Sequence, residues 1–151
     1  MYRKLLVIFV SFITLFSFAK NTFAQEQSQW IINNFLSAIS IEPTGDVLIS
    51  ETIEADFFVE KHGIFRKIPL NYFNNDGSKH FTNISVSSVI RNSKPEKFST
   101  YKEGNNLVIK IGDPDKKISG KQIYTIYYSQ KGILQNFDNY DELYWNVTGN
   151  Q

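Results

Sequence analysis

The chain has 151 residues, with 16 Lys+Arg against 15 Asp+Glu for a formal net charge of +1, 13 Phe, 8 Tyr, 2 Trp and no Cys. A balance this close to neutral gives no electrostatic footprint for nucleic acid or an anionic membrane surface. Without cysteine there are no disulfide staples, no thiolate zinc site and no lipid-bearing thiol, so stability has to come from a packed apolar core.

Arg3 and Lys4 precede an apolar run over 5–10 that continues through Phe12, Ile13, Leu15, Phe16 and Phe18 to Ala19, and Thr22-Phe23-Ala24 supplies a small-residue cleavage pattern. A charged start, a short apolar middle and a small-x-small end predict a secretory signal-peptide helix over 1–24. The alternative is an uncleaved anchor, for which the run is of marginal length, since crossing a bilayer core takes about 20 residues. Cleavage after Ala24 removes Arg3, Lys4 and Lys20 but no acid, which takes the formal charge from +1 to about −2. Residues 25–29 read as a mobile polar lead-in, and 30–151 as a single domain with one core.

Two apolar runs, 36–41 and 47–58, flank Pro43-Thr44-Gly45-Asp46 in a hairpin pattern. In the second run Val47, Ile49, Ile53, Ala55 and Phe57 alternate with polar residues at the period of two expected of a half-buried strand. Glu51 falls on the apolar face, where an ionised carboxylate is costly to bury without a partner. Arg66 is the candidate partner, because its guanidinium meets a carboxylate with two hydrogen bonds.

Asn74-Asn75-Asp76-Gly77-Ser78 is a turn signal. The run 81–90 then reads as a strand with Ile84, Val86 and Ile90 on one face and Ser85, Ser87 and Val89 on the other. A short strand over 98–101 and a turn at Gly104-Asn105-Asn106 lead into 107–111, where Leu107, Ile109 and Ile111 alternate with Val108 and Lys110. The run 121–130 carries Ile123, Thr125 and Tyr127 against Tyr124, Ile126 and Tyr128. That two-sided pattern suits a central strand covered by a second sheet on one side and by a loop or partner on the other. No long stretch has helical period. The chain is expected to be all-β, an antiparallel β-sandwich of immunoglobulin-like or jelly-roll-like type.

Five segments together carry a resemblance: the Gly45–Ile53 run with Ile49-Ser50-Glu51-Thr52-Ile53, the block HGIFRKIP over 62–69, IGDPD over 111–115, Ser119-Gly120 with Tyr124, and the terminal DELYWNVTG over 141–149. In this order and spacing the chain resembles the amino-terminal extracytoplasmic domain of YciQ-like predicted bacterial membrane proteins, a family catalogued among the domains of unknown function. The resemblance implies an exported, β-rich domain on the periplasmic or extracellular face of a bacterial cytoplasmic membrane, followed in full-length members by transmembrane helices. Such proteins usually continue beyond the point where this chain stops. The sequence therefore reads as a fragment incomplete at its carboxyl end, a secreted short form being the alternative, with membrane attachment through the signal segment or the missing helices.

No nucleophile stands at a recognisable spacing from His62, and no phosphate-loop, zinc or dinucleotide pattern occurs, so neither catalysis nor a cofactor is expected. Asp113, Asp115, Asp138, Asp141 and Glu142 are oxygen donors, but their spacing does not match an EF-hand loop, and they read as solvated turn acids rather than a metal site. Tyr144, Trp145, Glu142, Asn146 and Tyr128 are the candidate binding residues, part of an aromatic platform with Tyr124, Tyr127 and Tyr140 on which a sugar or peptide would stack. The more common reading of such aromatics is the core of a Cys-free sandwich, with Glu142 and Asn146 satisfying buried backbone or tyrosine hydroxyl groups. Glu51 and Arg66 are the candidate structural ion pair. The expected function is a non-catalytic extracytoplasmic binding or sensing module for an unknown envelope protein or polysaccharide. The alternatives are a carbohydrate-binding domain and, third, an acid–base hydrolase using Glu142 or His62.

Overall fold

The computed structural model describes residues 28–73, 77–143, 145 and 147. The expected signal peptide over 1–24 lies outside them, as do Tyr144 and Asn146. The described residues contain no helix. In chain order the strands are β1 (Trp30–Ile41), β2 (Val47–Lys61), β3 (Ile64–Pro69), β4 (Asn71–Phe73), β5 (Lys79–Phe81), β6 (Asn83–Arg91), β7 (Lys94–Pro95), β8 (Phe98–Glu103), β9 (Asn106–Ile111), β10 (Ile118–Lys131), β11 (Leu134–Asn136) and β12 (Asp141–Leu143).

A five-stranded sheet in the order β1-β2-β10-β6-β7 packs on a three-stranded sheet β3-β9-β8, with β4–β5 and β11–β12 as separate two-stranded ribbons, and all pairings are antiparallel. The expected all-β sandwich is therefore present. Its core forms where Ile49, Ile53 and Phe57 of β2 and Tyr124 and Ile126 of β10 meet Ile64 and Ile68 of β3 and Ile109 and Ile111 of β9. Each of these residues occupies alternate positions of its strand, as the pleat requires.

The β1–β2 hairpin closes at the predicted turn, where the Gly45 N–H donates to the Glu42 carbonyl at 2.8 Å. β1 begins at Trp30 rather than at 36, because the Trp30 ring stacks on Phe57 of β2 at 5.7 Å and 14° and extends the pairing. β10 lies between β2 and β6, as its two-sided pattern predicted. Its inner face is buried, but Ile123 and Tyr127 on the outer face stay largely exposed, and no described segment covers them.

The face assignment of Val89 differs from the alternation read in the sequence. Val89 is buried with Ile84 and Val86 packed on the same core, whereas strict alternation puts it opposite them. The pairing steps from Tyr127↔Ser88 to Tyr128↔Val86, so one extra residue, Ser87, bulges out and shifts the register by one. Its Oγ donates to the Tyr127 carbonyl at 3.0 Å. A one-residue bulge moves every following side chain to the other face. Val108 is fully buried although it points away from the core, flanked across the sheet by Lys67 and Tyr101.

Among the described residues of the terminal segment, none pairs with either main sheet. Residues Asp141–Leu143 pair with Leu134–Asn136 in a ribbon of their own, because the chain reverses just before them, the Phe137 N–H donating to the Tyr140 carbonyl at 2.9 Å.

Gly63 and Gly112 fix how the two halves of the chain cross. A Cβ on Gly63 would fall 1.8 Å from the Ile111 carbonyl oxygen, and one on Gly112 would fall 1.9 Å from that of His62. Their φ values of 147° and 128° are also ones that side chains disfavour. The HG pair of one signature block and the IG pair of another are thus two sides of one backbone contact.

Candidate functional site

Glu51 is fully buried and Arg66 is 7% exposed. They stand on different sheets and meet between them. Arg66 Nε donates to Glu51 Oε2 at 2.6 Å and Nη2 donates to Oε1 at 2.7 Å, the two-pronged geometry that suits guanidinium to carboxylate. Tyr128 adds a third donor, its hydroxyl 2.7 Å from Glu51 Oε1. Two further guanidinium hydrogens go to main-chain carbonyls, Nη1 to Lys67 at 2.9 Å and Nη2 to Val147 at 3.1 Å, and the guanidinium carbon lies 5.4 Å from the centre of the Phe35 ring.

The electrostatics match the geometry. Burial works against the Arg66 charge, but the hydrogen bond and negative charge of Glu51 outweigh it and raise its pKa, so the guanidinium is always protonated. Burial, followed by the charge of Glu51, pushes the Tyr128 phenol far above its ordinary value. The three side chains of the cluster are buried. The cluster joins three of the segments that carry the family resemblance, those holding Glu51, Arg66 and Val147, and its chemistry is that of a clamp between sheets.

The expected aromatic platform is not one surface. Tyr124 and Tyr128 point into the core and their rings are unavailable to a ligand, while Tyr127, one residue along β10, faces out. The period of two in a strand separates them. Tyr140 stacks on Phe137 at 4.8 Å in the ribbon hairpin. Glu142 is exposed on β12 opposite Gln135 and satisfies no buried group. Tyr144 and Asn146 lie outside the described residues.

The acid–base candidates are apart. His62 is at the far end of β2, its Nδ1 3.0 Å from the Lys116 carbonyl. Asp113 is committed to Lys97 at 2.8 Å, and its other oxygen accepts the Asp115 N–H at 3.1 Å. That lysine hydrogen bond and the Asp115 N–H hold its carboxyl below the usual range. Among the described residues no three His, Asp or Glu side chains gather in a way that could hold a metal ion.

Trp145 does line a cleft. It opens at the end of the sandwich where β2 begins and β10 ends, with a volume of about 420 Å³. Asn71, Tyr72 and Phe73 of β4 form one wall, Asn105 and Asn106 of the β8–β9 turn another, and Ile68, Gln130 and Ile133 the buried floor. Asn105 Nδ2 donates to Asn71 Oδ1. Tyr72 donates to the Gly132 carbonyl at 3.0 Å and stacks on His80 at 5.4 Å. Gln130 is 3% exposed and its Oε1 meets no donor. Sequence reading singled out only Trp145 here, because the other lining residues come from four separate segments that become neighbours only on folding.

The described residues thus form a two-sheet antiparallel sandwich with a clamped interior and an end cleft whose described lining carries no charge. The family described as "Predicted membrane protein (DUF2207) N-terminal domain" matches residues 31–151, and the chain belongs to that family. It is also 30% identical over 149 residues to the uncharacterized protein YciQ of Escherichia coli (strain K12), an alignment covering 97% of this chain and 24% of that protein. The chain thus spans about a quarter of the length of this relative. No solved structure matches it.

Proposed function

We propose that the chain is the extracytoplasmic, non-catalytic binding module of a membrane-anchored envelope protein and that the end cleft is its binding site. Membrane association follows from the family. The observation that carries the binding reading is the division of side chains in the fold: the buried Glu51–Arg66–Tyr128 cluster is consumed in holding the sheets together, whereas the described lining of the cleft has no carboxylate, imidazole, amine or guanidinium. A cavity of a few hundred Å³ with a few convergent polar groups is the usual form of a ligand site. The lack of a paired acid and base there argues for recognition without turnover.

Immobilised chain exposed to solubilised bacterial envelope tests this. The expected result is a retained component that is lost on Phe73→Ala at the cleft rim and kept on Glu142→Gln and His62→Ala. Hydrolysis of an envelope polymer that disappears with Glu142→Gln or His62→Ala while folding is intact would instead make the protein an enzyme.

A further inference from the structure

We propose that the end cleft binds a neutral sugar, with the amides of Gln130, Asn71 and Asn105 pairing with ring hydroxyls and Trp145 and Phe73 bordering the sugar faces. The proposal deepens the binding reading above and rests on it.

The polar lining is almost entirely amide. Each amide carries a donor and an acceptor a short distance apart, which suits the neighbouring hydroxyls of a sugar ring, themselves both donors and acceptors. The Asn105–Asn71 bond uses one group from each and leaves Asn71 Nδ2 and Asn105 Oδ1 outside it. Gln130 supplies the decisive detail. Its side chain is at the buried floor with Oε1 unpartnered, and a buried acceptor without a donor is costly unless a ligand brings one.

The charge and the surrounding backbone narrow the class further. No described lining residue carries a charge, so a carboxylate, phosphate or ammonium would leave water without a counter-ion. A peptide recognised through its main chain needs an open strand edge. Here the adjacent backbone is in use: the Leu70 N–H donates to the Asn105 carbonyl, and the Leu70 carbonyl accepts the Thr82 N–H, both at 2.8 Å. Recognition is left to side-chain amides and rings. A hollow of about 480 Å³ on the outer face of the five-stranded sheet near Leu48 and Tyr127 has no buried side-chain atom left unpaired, and its Ser87 hydroxyl already donates to the Tyr127 carbonyl.

The test is a heteronuclear NMR titration of the full chain with chitotetraose, cellotetraose and maltotetraose as neutral probes, trigalacturonate as an anionic one and tetraalanine as a peptide. The expected result is that at least one neutral tetrasaccharide shifts the Gln130 and Asn71 side-chain amides and the Trp145 indole saturably. The Trp30 indole, at the opposite end of β2, stays still. Gln130→Leu then weakens binding by about tenfold, the worth of roughly one hydrogen bond. Phe73→Ala, at a position 62% exposed, gives the same direction without touching the core and serves where Gln130→Leu does not fold. Silence of those signals with all three neutral tetrasaccharides overturns the proposal. If trigalacturonate or tetraalanine moves them instead, the sugar class is wrong but the binding reading stands; that reading falls only if envelope retention on the cleft also fails.

Discussion

Arg66 and Glu51 reach each other from opposite sheets through two parallel hydrogen bonds of 2.6 and 2.7 Å, inside a core that otherwise excludes water from both. Neither is near solvent, so each is the condition for burying the other. Removing one partner strands a charge, which costs about 3–5 kcal/mol, while replacing both by apolar residues of similar volume is close to neutral. Arg66→Met is therefore expected to destabilise by that amount, and Glu51→Met/Arg66→Met to recover most of it, as read from urea midpoints. A loss in the double variant equal to the sum of the losses for Arg66→Met and Glu51→Met alone would show that the pair is not coupled.

Gly63 and Gly112 are expected to tolerate no side chain. Their absent Cβ atoms would land within 2 Å of a backbone oxygen, 1.8 and 1.9 Å away, and backbone cannot swing aside as a flexible side chain can. Gly63→Ala and Gly112→Ala should each cost more than about 3 kcal/mol, in the upper range for single substitutions. A thermal midpoint within a few degrees of the parent for either would contradict the crossing described.

Tyr124 is fully buried and its hydroxyl has no partner, and burial pushes its pKa up to about 12. An unfolded tyrosine ionises near about 10. The folded state thus disfavours the phenolate, and its contribution is fully present below about pH 10 and is lost as pH rises from there through about 12. Tyr128 acts in the same direction. Tyr124→Phe should raise stability at neutral pH by up to about 1 kcal/mol, since an orphan buried hydroxyl is removed. It should also flatten the alkaline limb of a pH–stability curve, and an unchanged limb would contradict the burial of this phenol.

Asp113 contributes to the acid limb in the opposite sense. Its carboxyl is held below the ordinary range, first by the Lys97 ammonium and then by the Asp115 N–H, so its contribution is present above the unfolded value of about 3.9 and is lost as pH falls through the folded value. Asp113→Asn is expected to make the loss of stability with falling pH shallower than in the parent and to leave stability at pH 7 lower. Chemical denaturation across pH 2–6 checks both.

The sequence patterns that could be read were those set by local periodicity. The alternation around Glu51 placed a carboxylate on an apolar face, and the charge rule for buried groups then pointed to a cation such as Arg66. β10 announced its central position by being apolar on both faces. What stayed hidden was set by contacts distant in sequence. Nothing near Ser87 signals a bulge, yet that one residue decides the face of Val89. Tyr128 looked like a ligand platform because its neighbours are aromatic, and only its partnership with Glu51 on another strand turns it into core. Gln130, Asn71 and Asn105 are unremarkable amides until the end of β10, the start of β4 and the β8–β9 turn bring them together.

The sharpest single measurement is an amide chemical-shift map of the chain in the presence of its retained envelope component. The end cleft predicts that perturbations cluster on 71–73, 105–106, 130–133 and Trp145. Perturbations confined to the outer face of the five-stranded sheet, around Leu48, Ile123 and Tyr127, would contradict it and assign binding to that open surface instead.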